Sequence, residues 1–256
     1  MTDETTDARP MQVRVADDLR NAIRRGEMGP GDKLPTLAVI AERYRVSEMV
    51  ARRAVELLRQ EGSVISRRGS GTYVREVISV RRYGIERYSR SVWGGAQPQP
   101  ILKAEGAQQG KNVGQTSGTE QVTAPSFVVE RLPDVEEGDL VYARKRVTTL
   151  DGVINQSADS YFSLNTGERS PAIVAGEGPG GHIARINALS PVLEIQEEVT
   201  TRMPNGPEAA RLEIPQGTPV FEVIRTYHCE EGPLDVTKFV IRGDMAAFDY
   251  RFPVPD

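Results

Sequence analysis

The sequence predicts an α+β protein in two parts: a small helical head closed by a hairpin, and a larger body of antiparallel strands with short helices between them. Three observations predict it. Helix-period apolar patterns with caps recur three times before residue 62, and a basic, glycine-rich hairpin pattern follows. From Ala124 onward, strand-like alternation returns repeatedly between turn signals. Charge also divides along the chain: residues 1–75 sum to +3 and residues 76–256 to −7, within an overall −4.

Composition bounds the rest. A chain of 256 residues with 38% hydrophobic and 27% charged residues is long and apolar enough for two packed domains. No apolar run approaches the ~18–20 residues of a membrane span. Met1–Pro10 is acidic and polar rather than laid out as a secretory leader, so a frayed tail and a cytoplasmic protein are expected. The single cysteine, Cys229, excludes an intramolecular disulfide. The expected organisation is a tail at 1–10, a head at 11–76, a linker at 77–93 and the second domain at 94–256.

In the head, Val15, Leu19, Ala22 and Ile23 share one face of a first helix, which Gly26 stops. Gly29-Pro30-Gly31 turns the chain. Thr36 can N-cap a second helix bearing Leu37, Ile40, Ala41 and Tyr44 on one side, and Ser47 caps a third that ends at Gly62. Steps of about 100° place Ala51, Ala54, Val55 and Leu58 inward, with Val50 and Leu57 at the margin. Met49, Arg52 and Glu56 face outward, with Glu48 and Arg53 at the edges. Ser63–Ser66 and Thr72–Arg75 then flank Arg67-Arg68-Gly69-Ser70-Gly71, a basic hairpin tip. Three helices and such a wing make a winged helix-turn-helix. Its outward helix face suits a DNA major groove, and its arginines suit phosphate or a minor groove.

In the body, Val80–Trp93 interleaves arginines with aromatics and reads as a tether with solvated arginines rather than as extra DNA contacts. Residues 94–124 have linker composition, with a strand expected at Ile101–Ala104. Pro125–Leu132 is expected as a short helix. Leu140–Leu150 and Val153–Phe162 form a hairpin about Asp151-Gly152. His182–Leu189 is helical, Val192–Arg202, Pro219–His228 and Leu234–Arg242 are strands, Pro207–Leu212 is a short helix, and Phe248–Val254 is a last strand. Gly178-Pro179-Gly180-Gly181 lacks the residues of a phosphate loop and reads as a loop before a helix. His182 and His228 have no metal-site spacing, and surface or hydrogen-bonded roles are expected for them. Cys229 reads as a sheet residue. Glu136-Glu137, Glu197-Glu198 and Glu230-Glu231 read as solvated charge. No nucleophile–base set or cofactor motif is present, so no cofactor, no metal and no enzymatic activity are expected.

GDKLP, AERYRVS, ARRAVELLRQEG and GSGTYV, in that order and spacing, resemble the GntR family of bacterial regulators over residues ~11–75. The resemblance implies operator contacts from the third helix and wing. With neighbouring positions, the candidate DNA residues are Thr36, Ser47, Glu48, Met49, Val50, Arg52, Arg53, Arg67, Arg68, Gly69, Ser70 and Gly71. Glu48, Val50 and Ala38 stand where many relatives carry Arg, Thr and Arg, so the docking mode carries over and the operator sequence does not.

GDLVYARKRVTTLDG, SYF, GPGGHIARI and IPQGTPVFEVIRT further resemble the UTRA effector domain of the HutC branch, a chorismate-lyase-like fold, across most of ~85–256; residues 94–124 are then no free linker. This resemblance implies a small, often anionic effector and a homodimer. The implied effector residues are Arg144, Arg146, Asp159, Ser160, Tyr161 and Glu198. Ala158 stands where sugar-binding relatives carry an acid, which departs from an amino-sugar site. The expected function is a dimeric repressor that leaves double-stranded operator DNA when effector binds. An activator, an effector-independent repressor of the plasmid type, and an enzyme with a DNA-binding head are the alternatives.

Overall fold

The fold is described from a computed structural model covering residues 9–67, 69–75, 80–176, 179–215, 217–252 and 254. It divides into two compact units, one within 1–77 together with 215–218, the other within 78–214 and 219–256. Residues 1–8 of the expected tail lie outside the described residues.

In the first unit α1 (Met11–Arg24), α2 (Leu37–Tyr44) and α3 (Glu48–Gln60) precede a hairpin of β1 (Val64–Arg67) and β2 (Gly71–Val74). Val15, Leu19, Ile40, Ala51, Ala54 and Leu58 form its core. The alanines of α3 keep side-chain bulk low where α1 packs on it. Thr36 Oγ1 and Ser47 Oγ accept from the backbone N–H of Val39 and Val50, which starts α2 and α3 where the cap residues stand. Arg45 ends α2 in the left-handed conformation (φ 52°), making the sharp turn into α3.

The second unit begins with β3 (Val80–Tyr83), a 3₁₀ turn at Glu86–Tyr88, α4 (Arg90–Trp93), α5 (Ile101–Gln108), β4 (Val113–Thr123) and α6 (Ser126–Val129). The hairpin of β5 (Leu140–Leu150) and β6 (Val153–Ser163) follows, then α7 (Leu164–Arg169), α8 (Pro171–Val174) and α9 (Gly181–Leu189). It closes with β7 (Val192–Arg202), α10 (Gly206–Arg211), β8 (Val220–Cys229), β9 (Gly232–Arg242) and β10 (Ala246–Asp249). Strands β4-β5-β6-β9-β8-β7 make one antiparallel sheet in that order, and β10 pairs in parallel with β3. One face packs Phe162 and Tyr227 with Trp93, Ile183 and Ile186; the other packs Val141, Ala143, Tyr161 and Val236 with Val128 and Leu132.

Three expectations are corrected. Ile101–Ala104 is not a strand but the start of α5: Pro100 precedes it, and Ile101 and Glu105 are buried one turn apart. A four-residue apolar window holds too little period to separate the two. The stretch Val80–Trp93 is not a tether, since most of the expected 77–93 linker is built structure, and of its arginines only Arg81 and Arg90 are exposed. Alternation along β3 turns Val80 and Arg82 inward, and Arg87 is buried as well. The closing strand is Ala246–Asp249 rather than Phe248–Val254, because its partner β3 ends at Tyr83.

Candidate functional site

On the first unit, Ser47, Glu48, Met49, Arg52 and Arg53 are exposed at the start of α3, and Met49 keeps 64% of its surface open. Val50 is half-buried, at the edge of the core. Thr36 is exposed before α2. In the wing, Arg67 stacks its guanidinium over the Tyr73 ring, 4.7 Å from its centroid, and Lys33 Nζ lies 6.0 Å from the same ring. Ser70 Oγ and Tyr73 Oη are 2.6 Å apart. Gly69 and Gly71 both have positive φ, and a Cβ on Gly71 would sit 2.8 Å from Lys33 Cε. Arg68 lies outside the described residues. A helix N-terminus with two free-standing arginines beside a stacked basic wing can place cations along a phosphate backbone and side chains against base edges.

The second unit holds a cavity of about 440 Å³ between the sheet and α5 and α9. Lys103, Arg144, Arg146 and Arg185 line it, with Gln115 and Thr148, and no carboxylate is among its described lining residues. Strand register explains the floor. Thr119, Arg144, Ser160, Thr237, Arg225 and Glu197 lie in one row across six strands, on the face toward the helices. Arg146 Nη2 donates to Ser160 Oγ at 2.5 Å and its Nε to the Ala158 carbonyl at 3.2 Å. Burial and the nearby Arg225 pull the Arg146 guanidinium down to about 10 against the opposing pull of Asp235, so it stays charged at neutral pH.

His182, on the first turn of α9, anchors the wall. Its Nε2 lies 2.7 Å from Asp235 Oδ2, and its Nδ1 lies 3.4 Å from Arg144 Nη1. A neutral ring protonated on Nε2 satisfies both partners, donating to Asp235 and accepting from Arg144. Burial, reinforced by Arg146 and Arg144 against the pull of Asp235, holds His182 down at about 4. The turn before it is tight: Gly180 has φ 70°, and a Cβ there would lie 2.2 Å from the Trp93 carbonyl oxygen. The start of α9 borders the cavity and adds its partial positive charge to the arginines.

Residues 11–74 match the family model for bacterial regulatory proteins of the gntR family, and residues 108–247 match the UTRA domain. The chain is 30% identical over 257 residues to an uncharacterized HTH-type transcriptional regulator of Streptomyces coelicolor, covering 96% of this chain and 94% of that one. The chain belongs to the GntR family. Its fold also matches the crystal structure of a GntR-family transcriptional regulator, with TM-score 0.65 and 32% identity over 96% of this chain and 99% of that one. The HTH-type transcriptional repressor NagR of Bacillus subtilis is 23% identical over 93% of each chain. PhnF of Mycobacterium smegmatis shares the fold at TM-score 0.56 and 22% identity, over 94% of this chain and all of that one.

As a GntR-family member with a UTRA domain, the protein is a DNA-binding transcription regulator of winged helix-turn-helix plus antiparallel α+β architecture. Within the UTRA domain the structure brings together only part of the expected effector set. Arg144, Arg146 and Ser160 share the helix-covered face, but Asp159, Tyr161 and Glu198 point to the other. Asp159 pairs with Arg211 at 3.1 Å, Tyr161 packs edge-on against Phe127, and Glu198 pairs with Arg131 at 2.7 Å. Glu197, expected as solvated charge, instead faces inward and accepts from Tyr88 Oη. Sequence reasoning also missed Arg82, Arg87, Arg185 and Arg225, and Lys33 and Tyr73 at the wing. The "DVTKF" and "VRRY" runs carried a signal, since alternation with apolar neighbours puts Asp235, Thr237 and Arg82 on a buried face. Cys229 lies in the sheet as expected, and burial pushes its thiol up to about 12.

Proposed function

We propose that this GntR-family regulator is a cytoplasmic, dimeric repressor whose UTRA domain binds a small anionic metabolite and thereby lowers affinity for operator DNA. One observation carries the effector part: Lys103, Arg144, Arg146 and Arg185 converge on one cavity with no acidic residue in its described lining. Guanidinium forks in a sheltered cavity suit carboxylate or phosphate oxygens. The DNA part rests on the exposed start of α3 and the wing. In a dimer, two recognition helices would enter successive major grooves about one turn, ~34 Å, apart. A ligand that binds better to the arrangement unable to span that distance releases the operator by its differential affinity.

The site gives little to the enzymatic alternative. His182 is saturated by Asp235 and Arg144, and Ser160 by Arg146 and Thr237, so neither is poised as a base or a nucleophile. No described helix is long and apolar enough to cross a membrane.

The test has two steps. Genomic fragments retained by the purified protein are sequenced, and anionic metabolites are then screened for release of those fragments. A palindromic fragment released by an anion supports the proposal. No preference over random DNA at moderate salt, or release only by cationic or neutral compounds, contradicts it.

A further inference from the structure

Behind the main cavity lies a second, smaller chamber of about 70 Å³. The two share a wall that includes Gln115, Arg146, Thr148 and His182. Three more arginines border the inner chamber: Arg82 from β3, Arg87 from the 3₁₀ turn and Arg225 from β8. All three side chains are more than nine-tenths buried. Several of their donors meet no protein acceptor: Arg82 Nε, Arg87 Nε and Nη1, and Arg225 Nε.

These guanidiniums are stacked on aromatic faces. Arg225 lies 4.3 Å from the Tyr227 ring centroid and 4.8 Å from that of Phe239; Arg82 lies 5.5 Å from Phe239 and 5.3 Å from Phe248. Stacking occupies the guanidinium faces and leaves the N–H edges for oxygen acceptors. Arg82 Nη1 donates to Gln156 Oε1 at 2.9 Å and Arg87 Nη2 pairs with Glu105 at 3.0 Å, so both groups are held in place. Burial, with Arg87 beside it, pulls the Arg82 guanidinium down to about 10.

Charge does not balance around the inner chamber. Among the described residues, its four buried lining arginines, Arg82, Arg87, Arg146 and Arg225, meet three carboxylates, those of Glu105, Glu197 and Asp235, while His182 is neutral. One positive charge remains. Leaving a buried cation without a counter-charge is costly, so the arrangement favours an anion that reaches inward. At about 70 Å³ against about 440 Å³ for the outer cavity, the inner space suits a compact group such as a carboxylate.

Resting on the proposed effector site, we infer that the effector carries two separate anionic groups: one held in the outer cavity by Arg144, Arg146 and Arg185, and a terminal carboxylate held in the inner chamber by Arg82, Arg87 and Arg225.

Calorimetry on the full-length protein tests this with matched probes. 3-Phosphonopropionate is compared with propylphosphonate, which lacks the carboxylate, and glutarate with butyrate. The expected result is binding at least ~10-fold tighter for the doubly anionic member of each pair. Arg82→Met erases that gain and leaves propylphosphonate within about 2-fold of wild type. Arg225→Lys serves if Arg82→Met does not fold. Equal affinity within both pairs overturns the inner subsite while leaving the outer anion site standing. Equal losses for both members in Arg82→Met also overturn it. Failure of every probe to bind overturns the inner subsite and the anion pocket together.

Discussion

His182 and Asp235 form a buried pair, Nε2 to Oδ2 at 2.7 Å, between α9 and β9. The pair ties the helix bordering the cavity to the sheet beneath it. Because Arg144 occupies the other ring nitrogen as a donor, the histidine cannot protonate without losing a partner and meeting a like charge.

Acid sensitivity follows. Folded His182 sits at about 4 against 6.5 in the unfolded chain, so the unfolded state binds the extra proton between those values. The contribution is fully present above about pH 6.5 and is lost as pH falls to about 4, a change of about 3 kcal/mol. Asp235, whose carboxyl is held low chiefly by His182 and Arg225 despite its burial, adds loss of the same sign at lower pH. Urea midpoints between pH 7 and 4 should fall steeply in wild type and less so in His182→Gln. Parallel curves for the two proteins would refute the assignment.

Operator affinity should depend on Arg52. Arg52→Ala is expected to weaken binding on the order of tenfold and to reduce the salt slope by about 1, with no change in fold. Glu48→Gln, which removes repulsion from phosphate, should tighten binding to random DNA. Fluorescence anisotropy at several salt concentrations checks both; an unchanged slope in Arg52→Ala would place that residue off the duplex.

Arg146→Met should separate the two activities. Operator binding should stay within about twofold, because the substitution lies in the other unit, while release by effector should be abolished. Release with wild-type potency would exclude Arg146 from the ligand site.

Gly180→Ala should destabilise the UTRA domain by at least ~2 kcal/mol, since it combines positive φ with a backbone clash against Trp93. A thermal melt of the full chain reads this directly. An unchanged melting temperature would mean the loop before α9 can relax, contrary to the close approach described.

Much of this fold was legible in the sequence, and the failures share a cause. Caps, glycine stops and strong helical periods located the head, and the Asp151-Gly152 turn located the central hairpin. The expected effector residues divide by parity: Arg144, Arg146 and Ser160 face the covering helices, whereas Asp159, Tyr161 and Glu198 lie on the other side of a two-residue repeat. Nothing within β7 or β6 says which side its helices cover; Tyr88 and His182, distant in sequence, decide it. Arg82 and Arg87 were read as solvent charge for a similar reason. Alternation could turn Arg82 inward, but nothing local names its partners, Phe239 in β9 and Phe248 in β10, or the Glu105 of α5 that pairs with Arg87.

The parallel pairing of β3 with β10 has a mechanical meaning. β2 ends at Val74 and β3 opens at Val80, so the strand carrying Arg82 is the first element after the wing among the described residues. If an effector engages Arg82, any shift of β3 is resisted by β10, its ladder partner among the described residues. A chain cut after Met245 should still capture the effector yet answer it with an altered loss of operator affinity; an unaltered answer would send the signal by another route.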